Sequence, residues 1–509
     1  MAERIMKILL HSYPGYSYFL REVIYSARRK ASPIEWSIIQ YSNTDNLLDE
    51  FKILVGVENV LYLQSGLNEY MEGNEVNLDA MKDFPASLYE CISTSKVVSG
   101  HIPLLSKSRD YQLKIITGTY VIYKEYLLRN RPDFVFFSIV DLYDSMILYH
   151  LCHELGITPI INGHARNLGV SYFTDSVYET LPPYAFKEDL SEENIKKAED
   201  FIRSFSDNFK APFEIKYQPN PDEIIDTSYL RKGIFKKVFK VIKRRLRGFE
   251  PHLVDRYTLI HHLRIHFHPL TRRWKTLKGD IIQRKFYDIK TIKELPEKFT
   301  YYPLQYTPET SINTPAPYFV DQLRAIDLIL TSMPSDYYLV IKEHPAMKGE
   351  RPVSFYRALK KKANVLLADF SLPSIEVIKK ASLTISVTGT SCLEAFLLGK
   401  PSLHLGRAFF TDWIYQFDSF YHFREVTREA LKNQNVPMEK IIDLVSRVFS
   451  VGFDFIVFSA NSPYGNVDQL MNKRNINTFL ESLLNHIKRL GNIEENNNAD
   501  TQKRSACKK

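Results

Sequence analysis

The amino-acid sequence predicts an α/β protein of two Rossmann-like, doubly wound domains, and three observations lead there. The chain has 509 residues with 44% apolar and 25% charged side chains, more than one ordinary core needs and enough to fill two. Residues 1–181 alternate short apolar, β-rich runs with helical periods. The same alternation resumes at Tyr301, after a stretch in which strand signals fade.

In the first domain, residues 1–181, the runs Ile5–Leu10, Trp36–Ile39, Val60–Leu63, Phe134–Phe137 and Thr158–Ile161 read as buried strands. Asp144–Leu155 reads as a helix closed by Gly156 in the usual capping position, with a Pro159-containing strand after it. Strand, helix and strand in that order form a βαβ unit, which requires a parallel sheet. Residues 182–295 read as a helical, basic interdomain insertion, with one helix over Ser191–Phe205. The second domain, residues 296–430, has strands at Tyr338–Ile341, Leu383–Val387 and Ser402–Leu405, and helices at Ser374–Lys380 and Cys392–Leu398. C-terminal helices are expected over 431–490, and a polar, disordered tail over 491–509.

Composition narrows the class further. The apolar runs fall well short of the roughly 18 consecutive apolar residues of a membrane span, and the N-terminus has no cationic start with a cleavage site, so a cytoplasmic protein is expected. Cys91, Cys152, Cys392 and Cys507 lie far apart with no CxxC pair, which argues for reduced thiols and against a disulfide framework or a cysteine-rich zinc site. The net charge of +8 is concentrated locally: Arg231–Arg247 holds nine Lys/Arg, with Ile234, Phe235, Val238, Phe239, Val241, Ile242 and Leu246 near helical spacing. Such a helix can lie on an anionic membrane surface or pack its apolar stripe on the protein. No nucleic-acid module accompanies the basic face, so nucleic acid is not an expected partner. His261, His262, His266 and His268 cluster, but no carboxylate completes an HExxH motif and no metal is expected.

The chemistry-bearing residues lie at strand ends of the second domain. The sharpest is Ser386-Val387-Thr388-Gly389-Thr390-Ser391-Cys392-Leu393-Glu394-Ala395, a strand that stops at a Thr/Gly/Ser turn and opens into a helix. Such a turn aims backbone N–H groups and a positive helix end at one point, and the hydroxyls of Thr388, Thr390 and Ser391 add donors for a phosphate. Glu394, one turn into the helix, can accept hydrogen bonds from a ribose. The structural alternative is an ordinary turn with Thr390 or Ser391 as N-cap and Glu394 as its capping-box partner. The second feature is Lys342-Glu343-His344-Pro345, directly after Tyr338–Ile341. There His344 can donate to a phosphate oxygen or protonate a departing nucleotide, and Lys342 supplies positive charge. The third is the aromatic strand exit Tyr301–Ser311, which either lines the cleft or packs between domains.

Together YYPLQYTPETS, Asp321-Gln322, KEHP and TGTSCLEAFLLGKP resemble, in order and spacing over Tyr301–Gly406, the capsule polysaccharide biosynthesis family. Its members look like two-domain GT-B glycosyltransferases and include Kdo transferases of capsule assembly. The resemblance implies two domains facing a cleft, a nucleotide-sugar donor, a glycan or lipid-linked acceptor and no obligatory metal or cofactor. The His-Pro pair also resembles that of bacterial sialyltransferases and polysialyltransferases. By that resemblance His344 contacts the donor phosphate, Thr390 and Ser391 complete its binding, and a CMP-sugar is the favoured donor; Glu343, Thr388 and Gly389, in the same two turns, are further donor-binding candidates. Those enzymes take their base from an acidic Asp/Glu-Asp/Glu-Gly motif that has no clean copy here, so His11, Glu22, Asp141 and Asp144 remain open as the base. Three rivals stand beside this reading. A teichoic-acid-type polyol-phosphate transferase shares a Lys-x-His-Pro turn, but the Thr-Asp-Tyr-Ser-Ser run of that family is missing. The others are a nucleotide-sugar 2-epimerase and a non-catalytic subunit of capsule assembly or export.

Overall fold

The computed structural model describes residues 5–12, 16–30, 33–41, 47–73, 76–94, 108–138, 140, 142–208, 279–306, 312, 314–347, 349–455 and 473–506. The basic segment 231–247, His261, His262, His266, His268 and Asp141 lie outside these residues.

The described chain forms two six-stranded sheets. The first contains β1 (Met6–Ser12), β2 (Ile34–Gln40), β3 (Val60–Tyr62), β4 (Phe134–Phe137), β5 (Thr158–His164) and β6 (Ser171–Thr174), in the order β3-β2-β1-β4-β5-β6. The second contains β7 (Phe299–Pro303), β8 (Tyr338–Lys342), β9 (Val365–Ala368), β10 (Leu383–Ser386), β11 (Ser402–His404) and β12 (Tyr415–Gln416). Read from its other edge, its order is β9-β8-β7-β10-β11-β12, the same winding as the first sheet. Both are thus doubly wound, with the strand order reversing beside β1 in one and beside β7 in the other. This is the architecture expected from the alternation of apolar runs. β5 pairs antiparallel with β6, because only six residues join them and a parallel return needs a crossover of a dozen or more.

Burial on both faces explains why these strands read as unbroken apolar runs. In the first sheet Leu9, Ile39, Val135 and Phe137 face the helices Arg109–Asn130 and Tyr143–Leu155, whereas Ile8, Leu10, Ile38 and Phe136 face Ser17–Arg29 and Leu48–Val55. The second sheet is covered likewise, with Tyr302, Ile341, Ile385 and Leu403 on one side and Phe299, Tyr301 and Val340 on the other. Tyr301 and Tyr302 are fully buried on opposite faces of their own sheet. The first two tyrosines of the aromatic strand exit therefore fill one domain's core; they neither line a cleft nor pack between domains.

Several contacts among the described residues tie the halves together. A shared apolar cluster joins Ala165, Leu168, Tyr172 and Tyr184 to Leu393, Phe396, Phe410 and Leu444. The helix Glu192–Asn208 packs on Met438–Val451. Finally, the helix Lys473–Ala506 crosses back to the first domain, where Ile476, Phe479, Leu480 and Leu483 enter the core beside Phe19, Phe136 and Phe173. The same helix corrects the expectation of a disordered tail over 491–509, since it continues to Ala506. Once a helix is nucleated by packing, each further residue adds one hydrogen bond at little cost, and Glu, Gln, Lys, Arg and Ala in this stretch are good helix formers.

Candidate functional site

In an open parallel sheet, side chains gather into a crevice where the carboxyl ends of the strands meet the point of reversal. For the second domain that point lies between β7 and β10, with β8 on the far side of β7.

At the end of β10, Gly389 is the N-cap of the helix Thr390–Leu397 and offers no capping side chain. The structural alternative, with Thr390 or Ser391 as the cap, therefore does not hold. The turn is held from behind. Ser386 Oγ accepts from the amide of Gly389 at 3.0 Å, and His404 Nε2 lies 3.4 Å from the Gly389 carbonyl. On its other side His404 Nδ1 is 3.2 Å from Thr411 Oγ1, which itself accepts the Ala408 amide at 2.8 Å. The Gly389 carbonyl can only accept, so Nε2 carries the ring hydrogen of the neutral imidazole and Thr411 donates to Nδ1; burial pushes the His404 pKa down to about 3. Cys392 Sγ is buried beneath the turn, 3.2 Å from Ser386 Oγ and 3.3 Å from the Leu403 carbonyl, and burial raises the thiol to about 12. It is an inert packing group.

At the end of β8, the three residues of the Lys-Glu-His turn take three different roles. His344 is exposed; partial desolvation, then the charges of Arg351 and Lys342, lower its pKa, so its imidazole is neutral at neutral pH. Glu343 points inward, 3% exposed, where its carboxylate accepts from Arg351 Nε at 2.8 Å, Tyr356 Oη at 2.7 Å and the His344 amide at 2.8 Å. Its expected donor contact is thereby corrected: Glu343 braces the turn. Lys342 is 5% exposed, and its ammonium donates to Ser374 Oγ at 2.8 Å, with Glu394 and Asp369 as compensating charges. Burial lowers its pKa despite those carboxylates. This too is a correction, because the cation lies inside the domain and reaches the site through its field. Strand ends can draw charged side chains inward when each donor and acceptor finds a partner.

Gln305, a polar residue of the aromatic strand exit Tyr301–Ser311, links the two turns. Its amide accepts no freedom to move: the backbone N–H donates to Gln322 Oε1 at 3.2 Å, its carbonyl accepts from Arg351, and its side chain donates to the Pro303 carbonyl at 3.2 Å. A Cβ at Gly389 would come within 2.9 Å of Gln305 Nε2, so a side chain there would have to displace the Gln305 carboxamide. Through Gln305 and Arg351, the Thr388–Ser391 turn and the Lys342–His344 turn occupy one edge. Tyr306 completes it, its ring centroid 5.9 Å from that of His344.

The first domain also reaches this edge. Arg166, just past β5, donates to the Thr388 carbonyl, and Asn167 Nδ2 donates to Glu394 Oε1 at 3.2 Å. Neither residue carries a sequence signal, since both are isolated in a short strand-to-strand loop some 220 positions away, with sequence separations of 222 and 227.

Of the base candidates, the structure assembles two. His11 at the end of β1 lies with Nε2 3.1 Å from Asp144 Oδ2, and Tyr123 Oη donates to the same oxygen at 3.3 Å. Both side chains are fully enclosed. Glu22 is engaged in an ion pair, its Oε1 2.8 Å from Arg21 Nη2.

Residues 229–433 match the capsule polysaccharide biosynthesis protein family. The capsule-family region contains both turns, Gln305 and Arg351, and ends at Asn433, the residue after the helix Phe423–Lys432. Solved structures similar to the chain include KpsC beta Kdo 2,7 transferase from Thermosulfurimonas dismutans, at 11% identity over 72% of this chain and 89% of that one, TM-score 0.33. UDP-GlcNAc 2-epimerase from Methanocaldococcus jannaschii matches at 13% identity over 94% and 99%, TM-score 0.21. MurG from Acinetobacter baumannii matches at 10% identity over 86% and 94%, TM-score 0.25. Curated proteins give no match. Among the described residues, no helix is long and apolar enough to cross a membrane.

Proposed function

We propose that the chain is a glycosyltransferase of capsule or other surface-polysaccharide assembly, moving a sugar from a nucleotide-activated donor to a growing or lipid-linked glycan. The observation that carries this reading is the convergence of a glycine-capped helix N-terminus, its hydroxyl-rich turn and His344 on one sheet edge, inside the capsule-family region. The helix end and the hydroxyls of Thr390 and Ser391 receive the donor phosphate, the neutral imidazole of His344 donates a ring N–H to it, and Glu394 takes the ribose. Donors fixed in place before reaction stabilise charge on the departing nucleotide without reorganising, and Lys342 adds a positive field from within. A CMP-sugar is the favoured donor, and the first domain presents the acceptor.

The test is the melting-temperature shift of the protein with CMP, CDP, UDP and GDP, for the wild type and His344→Ala. A ligand at about 100 times its Kd stabilises the folded state by about 2.7 kcal/mol. We expect a shift with CMP that the variant loses. A CDP-selective shift would instead favour polyol-phosphate transfer, UDP or GDP an ordinary sugar donor, and no shift at all the non-catalytic subunit.

On the acceptor side His11 and Asp144 are both fully enclosed, so we propose that the pair braces the end of β1; Asp144→Asn is expected to lower the melting temperature while the nucleotide shift persists.

A further inference from the structure

Left-handed backbone is strained for any residue with a side chain, and such strain survives only where surrounding contacts over-determine it. Among the described residues three non-glycine positions have it: Arg131 at φ 45°, Arg166 at 48° and Glu179 at 55°. Arg131 closes the helix Arg109–Asn130, an ordinary place for that conformation. The other two face each other at the seam between the domains, with Arg166 Nη2 3.5 Å from Glu179 Oε2.

The supports of this pair form a continuous chain. A Cβ at Gly163 would lie 2.6 Å from the Tyr172 ring, so glycine there admits the ring. Tyr172 Oη donates to the Glu179 carbonyl at 2.5 Å, fixing the strained residue, and Glu179 in turn holds the guanidinium. With 14% of its side chain exposed, Arg166 then donates to the Thr388 carbonyl in the opposite domain. Within a peptide plane the carbonyl and the N–H point in opposite directions. A pinned Thr388 carbonyl therefore sets the Gly389 amide on Ser386, and His404 behind the Gly389 carbonyl turns the next amide, that of Thr390, the other way.

We propose that Arg166 is a positioning residue of the phosphate-binding turn, supplied across the seam by the other domain, with Asn167 orienting Glu394 beside it. Its charge also raises the positive potential where an anionic, phosphate-bearing ligand enters. The assignment rests on the proposed reading of the turn as a nucleotide site. It makes donor affinity depend on a residue outside the domain that holds the donor.

The full-length chain carries the test, with CMP, CDP, UDP and GDP as probes in thermal-shift and titration measurements. Arg166→Asn keeps a residue that tolerates left-handed backbone and removes the guanidinium. Arg166→Lys keeps charge and one donor. Loss of a charge-assisted bond at the turn is expected to weaken nucleotide binding about tenfold or more in Arg166→Asn, with partial recovery in Arg166→Lys. In turnover, the donor KM is expected to rise while the acceptor KM stays. Equal nucleotide affinity in the wild type and Arg166→Asn, even with a lower melting temperature, would overturn this assignment and leave Arg166 as an interdomain brace. No nucleotide response in the folded wild type would overturn the reading of the site itself, and this assignment with it.

Discussion

Acidification from pH 6.5 to about pH 5 is expected to destabilise the chain strongly, by about 6 kcal/mol, because three histidines are held neutral inside the fold. Burial lowers His404 and His486 to about 3 and His164 to about 4, from an ordinary 6.5. His486 is 3% exposed with Nδ1 2.6 Å from Tyr184 Oη, between the first domain and the long last helix. Above 6.5 both folded and unfolded chains carry these groups neutral, and their contribution is level. Between 6.5 and the depressed values the unfolded chain binds protons that the folded chain refuses, so stability falls with falling pH at about 1.4 kcal/mol per unit and per histidine. At about pH 5 the three together amount to about 6 kcal/mol, comparable to the whole stability of many domains, about 5–15 kcal/mol. Urea or thermal melts between pH 8 and pH 4.5 check this, and His486→Phe is expected to flatten the slope by about a third. A stability profile level from 6.5 to 5 would contradict it.

Glu343→Ala is expected to destabilise the second domain by about 3–5 kcal/mol, the range for breaking a buried ion pair from one side. Glu343 and Arg351 have side-chain exposures of 2% and 7%. Burial raises the Glu343 pKa, and the Arg351 charge with three donated hydrogen bonds restrains the rise. Alanine would leave the guanidinium, the Tyr356 hydroxyl and the His344 amide without their acceptor. Glu343→Gln keeps the shape and two acceptor contacts, so its loss should be smaller. Because the same carboxylate fixes the His344 amide, both variants should also weaken the nucleotide-induced shift. Denaturant melts of the three proteins give the first effect and titrations the second. Full retention of both stability and shift in Glu343→Ala would remove Glu343 from the bracing role.

The fold was legible because its strands are buried on both faces. Phe134–Phe137 and the helix Ser374–Lys380 have the bounds that their apolar runs and flanking residues indicate, and Tyr338–Lys342 extends its run by one residue. Short pieces without that signature, such as the two-residue β12 and the hairpin strand β6, carry no pattern of their own and exist through their neighbours. The two site turns were legible as strand ends with phosphate-competent residues. Side-chain direction was not: Lys342 and Glu343 read as cleft groups, yet Ser374, Arg351 and Tyr356 draw them inward. Arg166 and Asn167 stayed hidden for a different reason, since each becomes significant only through a partner distant in sequence. Likewise the His11–Asp144 pair spans 133 positions, and alone His11 is one polar residue at a strand end and Asp144 one carboxylate in a helix's first turn.

The return of the helix Lys473–Ala506 to the first sheet sets an order on biosynthesis. Ribosomes release β1 through β6 hundreds of residues before Phe479, whose ring packs edge-on to Phe19 and Phe136 at centroid distances of 5.1 and 5.2 Å. Until that helix arrives, the face carrying Phe19, Phe136 and Phe173 has no cover from it. The nascent first domain must wait, sticky on one side, for the last helix to be made, which favours a holding chaperone during translation and penalises premature termination even far downstream of the sheet it leaves open.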